Sequence, residues 1–168
     1  MEETVTDRRA PQTHIPCPIG RAADTVGDRW TLLILRQATI GRTRFDEFRT
    51  ELGIADNILS NRLSRLVEAG LLAKVPYRDG GRTRHEYRLT RAGADMLPVL
   101  HALAAWGEQH TRPVEREEPM RVLHRTCGRS LAAGEFCEHC HRHVPRHEIS
   151  WLRPWRSAEP FLMAEPVD

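Results

Sequence analysis

The stretch DNILSNRLSRLVEAGLLAKVPYRDGGRTRHEYRL changes its apolar period at Gly70, and that change limits what the chain can fold into. Before the glycine, Leu59, Leu63, Leu66 and Val67 recur at helical spacing across residues 56–69. After it, Leu72, Lys74 and Pro76 alternate with Ala73, Val75 and Tyr77. RDGG then marks a turn, and TRHEYRL alternates again. The pattern predicts a helix capped by Gly70, followed at once by a hairpin with Asp79, Gly80 and Gly81 near its tip.

The flanking elements are helical. Ile19, Ala22, Ala23 and Val26 form one stripe that ends near Gly27. Residues 30–37 are almost wholly apolar and belong in the core. A short helix is expected over 44–52, with Phe45, Phe48 and Leu52 on one side. Thr43 is its expected N-cap, Asp46 and Glu47 lie in its first turn, and Gly53 is the break after it. Beyond the hairpin, a helix from Thr90 carries Ala94, Leu97, Leu100, Leu103, Ala104 and Trp106, and Pro98 either bends it or marks its first turn. The order of elements is that of a winged helix-turn-helix: mainly α, with a small β-hairpin wing.

The expected organisation is an N-terminal arm over 1–16, a winged helix-turn-helix over 17–112 and a linker over 113–120. A cysteine-bearing segment over 121–150 and a tail over 151–168 follow. No run of about 18 apolar residues is present, so no membrane-spanning helix is expected. The first residues, MEETVTDRRAPQ, lack an apolar signal core, and a cytoplasmic location is the expectation.

The net charge of +2 does not by itself point to nucleic acid; its distribution says more, although arginine-rich usage equally reflects a GC-rich genome. Six basic and two acidic residues lie between Lys74 and Arg91, and Lys74 is the only lysine in the chain. Arginine presents a planar fork of donors suited to phosphate and to guanine edges. On the helix over 56–69 the face opposite the leucines carries Asn57, Asn61, Ser64 and Glu68, flanked by Ser60 and Arg65. Alone, such a face fits a solvated amphipathic helix. The arginine-bearing hairpin beside it, with Arg82 and Arg84, favours a recognition helix and wing gripping double-stranded DNA.

The motifs CPIGRAADTVGDRWTLLILRQ, RFDEF, GIADNILSNRLSRLVEAGLL and RHEYRLTRAG, in this order, resemble the HxlR family of bacterial transcription regulators, relatives of the MarR-type winged-helix proteins. The resemblance covers about residues 17–107. It implies a homodimer on inverted-repeat operator DNA, with Asn57, Ser60, Asn61 and Arg65 facing the major groove. It further implies that the first helix and the helix over 90–110 build the dimer interface. Physical reasoning independently favours a partner, because one small winged-helix core cannot cover Leu97, Leu100, Leu103 and Trp106 as well as the first helix; the alternative is that these residues pack internally or under the C-terminal segment. Some family members sense oxidants or electrophiles through a cysteine matching Cys17. Here Cys17 sits at a helix start with Arg21 one turn on, a setting that favours a thiolate, the alternative being a small, partly buried residue that begins a helix and packs inertly.

His124-x-x-Cys127 and Cys137-x-x-Cys140 are two ligand pairs at equal spacing. Thiolate and imidazole donors in this number suit a tetrahedral, structural zinc ion in a ribbon-like or knuckle-like module. His139, His141 and His143 are alternatives to His124 as the fourth ligand. Gly128, directly after Cys127, suits a knuckle that needs positive φ, whereas the equivalent place after Cys140 is His141. Four available ligands and no general base at a working spacing argue against a zinc enzyme.

Overall fold

The computed structural model describes residues 16–111, 118–132 and 135–168. The arm expected over 1–16 lies, save for Pro16, outside the described residues, as does the linker up to residue 117. The first part of the chain folds as α1 (Pro18–Val26), α2 (Arg29–Thr39), α3 (Phe45–Leu52), α4 (Asp56–Glu68), β1 (Leu72–Asp79), β2 (Arg82–Leu89), α5 (Arg91–Ala94) and α6 (Leu97–His110). This is a winged helix-turn-helix.

Ile34 and Leu35 of α2, Phe48 of α3, and Leu59 and Leu63 of α4 are fully buried in one cluster, with Leu66, Leu72 and Leu89 closing it. Removing a large aliphatic or aromatic side chain from water is worth about 1.5–3 kcal/mol, so this cluster holds the three helices together. Asp28 starts α2, and its carboxylate accepts from the amides of Trp30 and Thr31. It thereby satisfies two of the amides that every helix start leaves without a partner.

The start of α3 differs from expectation: its N-cap is Arg44, not Thr43. The cause is Glu47, whose carboxylate reaches back to the amides of both Thr43 and Arg44 at 2.9 Å. Thr43 is used otherwise, its carbonyl accepting from the Tyr87 amide at 2.7 Å. That bond and the isolated Arg44–Glu86 bridge lay this segment against β2 of the wing. At the far end of α4 the C-cap is Ala69. Gly70 stands one residue later with φ +71°, where it returns the chain so that the Leu71 amide meets the Leu66 carbonyl.

β1 and β2 pair antiparallel from Leu72↔Leu89 to Asp79↔Arg82. Only Gly80 and Gly81 make the turn, at φ +54° and +82°. Both central residues of such a tight hairpin need positive φ to match the strand twist, which side chains oppose.

The helix expected from Thr90 is two helices. Thr90 caps α5 through its hydroxyl, which accepts from the Gly93 amide, and the chain then steps out at Asp95 and Met96. Pro98 lies in the first turn of α6. A continuous helix would press its ring against the Ala94 carbonyl and lose a hydrogen bond there. That carbonyl instead accepts from Arg146 at 3.1 Å.

Beyond the linker lie β3 (Arg121–His124), β4 (Phe136–Cys137), β5 (Arg142–His143), a 3-10 turn at Arg146–Glu148, β6 (Ile149–Leu152) and β7 (Phe161–Leu162). The strands form a sheet in the order β3-β6-β7 and a separate β4-β5 pair. Trp151, expected to open a tail, is inside β6, and Phe161 of β7 is its cross-strand partner. This unit docks on the winged helix. Ile40, Leu97 and Leu100 share a buried cluster with Cys137, Val144, Ile149, Trp151 and Met163. The Ala164 amide donates to the Thr39 carbonyl and the Val167 amide to the Leu89 carbonyl, each at 2.7 Å.

His101 of α6 is the polar hook of this junction. Its Nε2 accepts from the Trp151 indole N–H at 2.7 Å, which leaves the proton of the neutral ring on Nδ1, 3.3 Å from a Glu135 carboxylate oxygen. Burial, reinforced by Arg146, pulls His101 down from 6.5 to about 4. The folded chain keeps the ring neutral where the unfolded chain takes a proton, so stability falls as pH drops from 6.5 toward 4. Unfolding midpoints in urea should therefore decline more steeply over that window in the wild type than in His101→Gln. Parallel declines would show that the ring titrates alike in both states.

Candidate nucleic-acid interface and metal centre

The leucine face of α4 is locked inward, so its opposite face must look outward. Asn57, Ser60, Asn61, Ser64 and Arg65 are all exposed. No hydrogen bond or ion pair to another described side chain engages Arg65 or these amides and hydroxyls. The arginine on the inner flank behaves differently: Arg62 pairs with Asp28 at 3.3 Å and ties α4 to the start of α2. Arg49 of α3 reaches Asp56 at 3.6 Å and sets the angle between the two helices. The five polar residues read from the sequence therefore share one rigid, open face of a helix anchored on its other side.

In the wing, Arg82 and Arg84 are exposed near the tip. Arg84 is partly neutralised by Asp79, 3.1 Å away. Arg44 lies over the Tyr77 ring at 4.9 Å, a cation–π contact that fixes the wing against the start of α3. Nothing local in the sequence signals that contact, because its partners stand 33 positions apart.

Two helices carry apolar residues that the described chain leaves uncovered. α1 has no buried residue, and Ile19 on it is 78% exposed. On α6, Val99, Leu103 and Trp106 are 45%, 45% and 59% exposed. Cys17, the N-cap of α1, is exposed, and its side chain makes no capping bond. Arg21 donates to the Pro16 carbonyl at 2.7 Å.

The second site is in the C-terminal unit. One donor atom from each of His124, Cys127, Cys137 and Cys140 lies within 4.8 Å of all the others. Cys127 Sγ is 3.2 Å from His124 Nδ1 and 3.6 Å from Cys137 Sγ, and Cys140 Sγ is 3.5 Å from His124 Nδ1. A tetrahedral ion with metal–sulfur bonds of about 2.3 Å and a metal–nitrogen bond of about 2.05 Å sets its ligands about 3.5–3.8 Å apart. The donor set fits that shape. His139, His141 and His143 are exposed and outside the group.

Local backbone explains the convergence. β3 delivers His124 and β4 delivers Cys137, and each is followed by a turn that returns the next cysteine. Gly128, after Cys127, has φ +71°. His141, after Cys140, has φ +51° without being glycine. The second knuckle thus adopts the same left-handed turn as the first, at the steric cost a side chain carries there.

Glu148 completes the arrangement and was not legible in the sequence. Its carboxylate takes His124 Nε2 at 2.8 Å, the Thr126 hydroxyl at 2.8 Å and the Arg142 guanidinium. Arg142, His124 and Thr126 hold Glu148 down at about 2. The bond to Nε2 turns Nδ1 toward the three sulfurs, the orientation a histidine ligand needs.

Comparison with known proteins agrees with this architecture. The HxlR-like helix-turn-helix family matches residues 25–115. An HTH-type transcriptional regulator of Mycobacterium tuberculosis is 41% identical over 132 residues, which cover 79% of this chain and 82% of its own. The solved structure of PA1607 shares the fold with a TM-score of 0.63 and 34% identity over 84% of this chain and 96% of its own. The redox regulator HypR in its reduced form has a TM-score of 0.52 and 26% identity over 55% of this chain and 92% of its own. With more than half its length matched and its helix-turn-helix in place, the chain belongs to the HxlR-like helix-turn-helix family of transcriptional regulators.

Proposed function

We propose that the protein binds operator DNA as a homodimer, reading base edges in the major groove with α4 and gripping the backbone with the wing, while a structural zinc ion holds the C-terminal unit together. The observation that carries the DNA reading is the exposed polar face of α4, rigidly mounted and without side-chain partners of its own. Asn61 and Arg65 are central to it, with Asn57, Ser60 and Ser64 around them. Arg82 and Arg84 supply phosphate contacts from the wing. The exposed apolar residues of α1 and α6 support the dimer, because a soluble chain rarely leaves such faces to water.

For the metal, the residues present fit tetrahedral zinc. His124 Nδ1 and the Cys127, Cys137 and Cys140 thiolates would hold it, with Glu148 orienting the imidazole. The ion would supply folding free energy to a unit whose β4 and β5 are two residues each. A second reading, redox control through Cys17, is favoured by the exposure of that thiol and by the likeness to HypR.

DNA fragments selected by the protein from its source genome test the first reading. Asn61→Ala with Arg65→Ala should lose sequence preference and about 1–3 kcal/mol per base contact, and Leu103→Asp should elute as a monomer and bind weakly. Unchanged binding in the double variant would refute the recognition face. The purified protein should carry one equivalent of zinc, and Glu148→Gln should weaken its retention against a chelator by about 10–100-fold. A metal-free, folded C-terminal unit would remove the zinc proposal. Oxidant should release DNA from the wild type and not from Cys17→Ser, and equal release from both would dismiss Cys17 as the sensor.

A further inference from the structure

Four arginines gather around one carboxylate where α2 and α3 meet the C-terminal unit. Glu51, near the end of α3, takes the Arg156 guanidinium, lies 3.7 Å from Arg42 and accepts from Gln37 Nε2 at 3.1 Å. Arg36 and Arg153 sit within electrostatic reach of the same group. Positive charge therefore outnumbers negative, and much of it is out of water. Arg153 is only 4% exposed. The buried Nε atoms of Arg36, Arg42 and Arg153 find no acceptor among the described residues. A buried guanidinium N–H without a partner, close to like charges, is a costly arrangement that a neutralising anion relieves. Burial and the neighbouring Arg36 and Arg156 pull Arg153 down to about 10, and burial with Arg156 lowers Arg36.

Arg36 also opens into a cavity of about 340 Å³ between α2, α6 and β6. The other walls are chiefly apolar, with Leu32, Leu33, Leu100, Leu103, Trp151 and Trp155 among them; the Glu108 carboxylate also lines the cavity and accepts from the Met120 amide at 3.0 Å. Trp155 reaches the wall from the turn at 153–156, where the Arg156 amide donates to the Arg153 carbonyl. The same turn thus brings an aromatic wall to the cavity and two guanidinium groups behind it. A site with an apolar body and a guanidinium at one end, away from water and backed by two further arginines, selects a ligand of matching shape. Inorganic anions satisfy the charge and leave the walls wet, whereas neutral apolar molecules fill the walls and leave Arg36 unpaired.

We propose that this cavity binds a small organic monocarboxylate, its carboxylate on the Arg36 guanidinium and its hydrocarbon body against the leucines and Trp155. Arg153 and Arg156 reinforce the field without touching the ligand. Because Glu51 shares its arginines with this site and stands just ahead of the turn into α4, occupancy would bear on the recognition helix. That regulatory consequence rests on the DNA-binding reading above; the binding itself does not.

Calorimetry and thermal melting on the full-length, zinc-replete chain test the site without DNA. The probes are benzoate and the straight-chain carboxylates from butanoate to octanoate, with benzamide and sulfate as controls at matched ionic strength. At least one carboxylate should bind saturably and raise the melting temperature, and benzamide and sulfate should not. Arg36→Gln should weaken that binding about tenfold to a hundredfold, and Arg36→Lys should retain part of it. The zinc content and unliganded melting temperature of both variants show whether the fold is kept. Absence of binding across the whole carboxylate series would overturn the proposal. So would equal stabilisation by sulfate, or undiminished binding by Arg36→Gln. Loss of the recognition-face result with intact carboxylate binding would overturn the DNA reading alone.

Discussion

The leucines of α4 are packed against Phe48 of α3 and Ile34 and Leu35 of α2, and everything at the outward polar face of α4 depends on that contact. Leu59 and Leu63 are fully buried and Leu66 nearly so. With this face committed, helical geometry sends Asn57, Asn61 and Ser64 to the far side, flanked by Ser60 and Arg65. The same burial fixes where α4 ends, so Gly70 can hand the chain directly to the wing. The ion pairs Arg62–Asp28 and Arg49–Asp56 trim the helix angle, but both are part-exposed and are modest in energy beside the core.

The C-terminal unit adds a second problem, a small fold with little apolar interior of its own. Its sheets are short, and it has two separate supports. One is internal: three cysteines and His124 converge, with Glu148 and Arg142 behind the histidine. The other is external: Trp151 and Met163 borrow Ile40, Leu97 and Leu100 from the winged helix. The buried bond between the Trp151 indole and His101 makes this docking directional, since a misplaced Trp151 would leave both ring nitrogens without partners. The unit is therefore held against the back of α2 and α6, and the polar face of α4 stays open.

Local signals in the sequence specify the structure where one short-range rule dominates. The two-residue glycine turn of the wing, the apolar stripe of α4 and the paired cysteine spacings each state their structure within a few residues. Structure departs from those signals where a more distant group competes. Thr43 looked like a cap, but Glu47 serves that purpose and leaves the Thr43 carbonyl for Tyr87. Pro98 permitted either a bend or a start, and the Ala94 carbonyl decided the matter by finding Arg146. Trp151 reads as part of a tail because nothing adjacent to it names the strand it pairs with.

By itself, the sequence determined the periods: which residues form helices, where the hairpin turns, which face of α4 is polar, and which donors come in pairs. These follow from steric and hydrophobic rules that act over a few residues. Only the tertiary structure decided which groups meet across long separations. It chose His124 over three nearby histidines, placed Glu148 behind it, brought His101 to Trp151, and collected four arginines around Glu51. Such encounters depend on how whole elements pack, and packing is set by the joint shape of all the buried side chains rather than by any one segment.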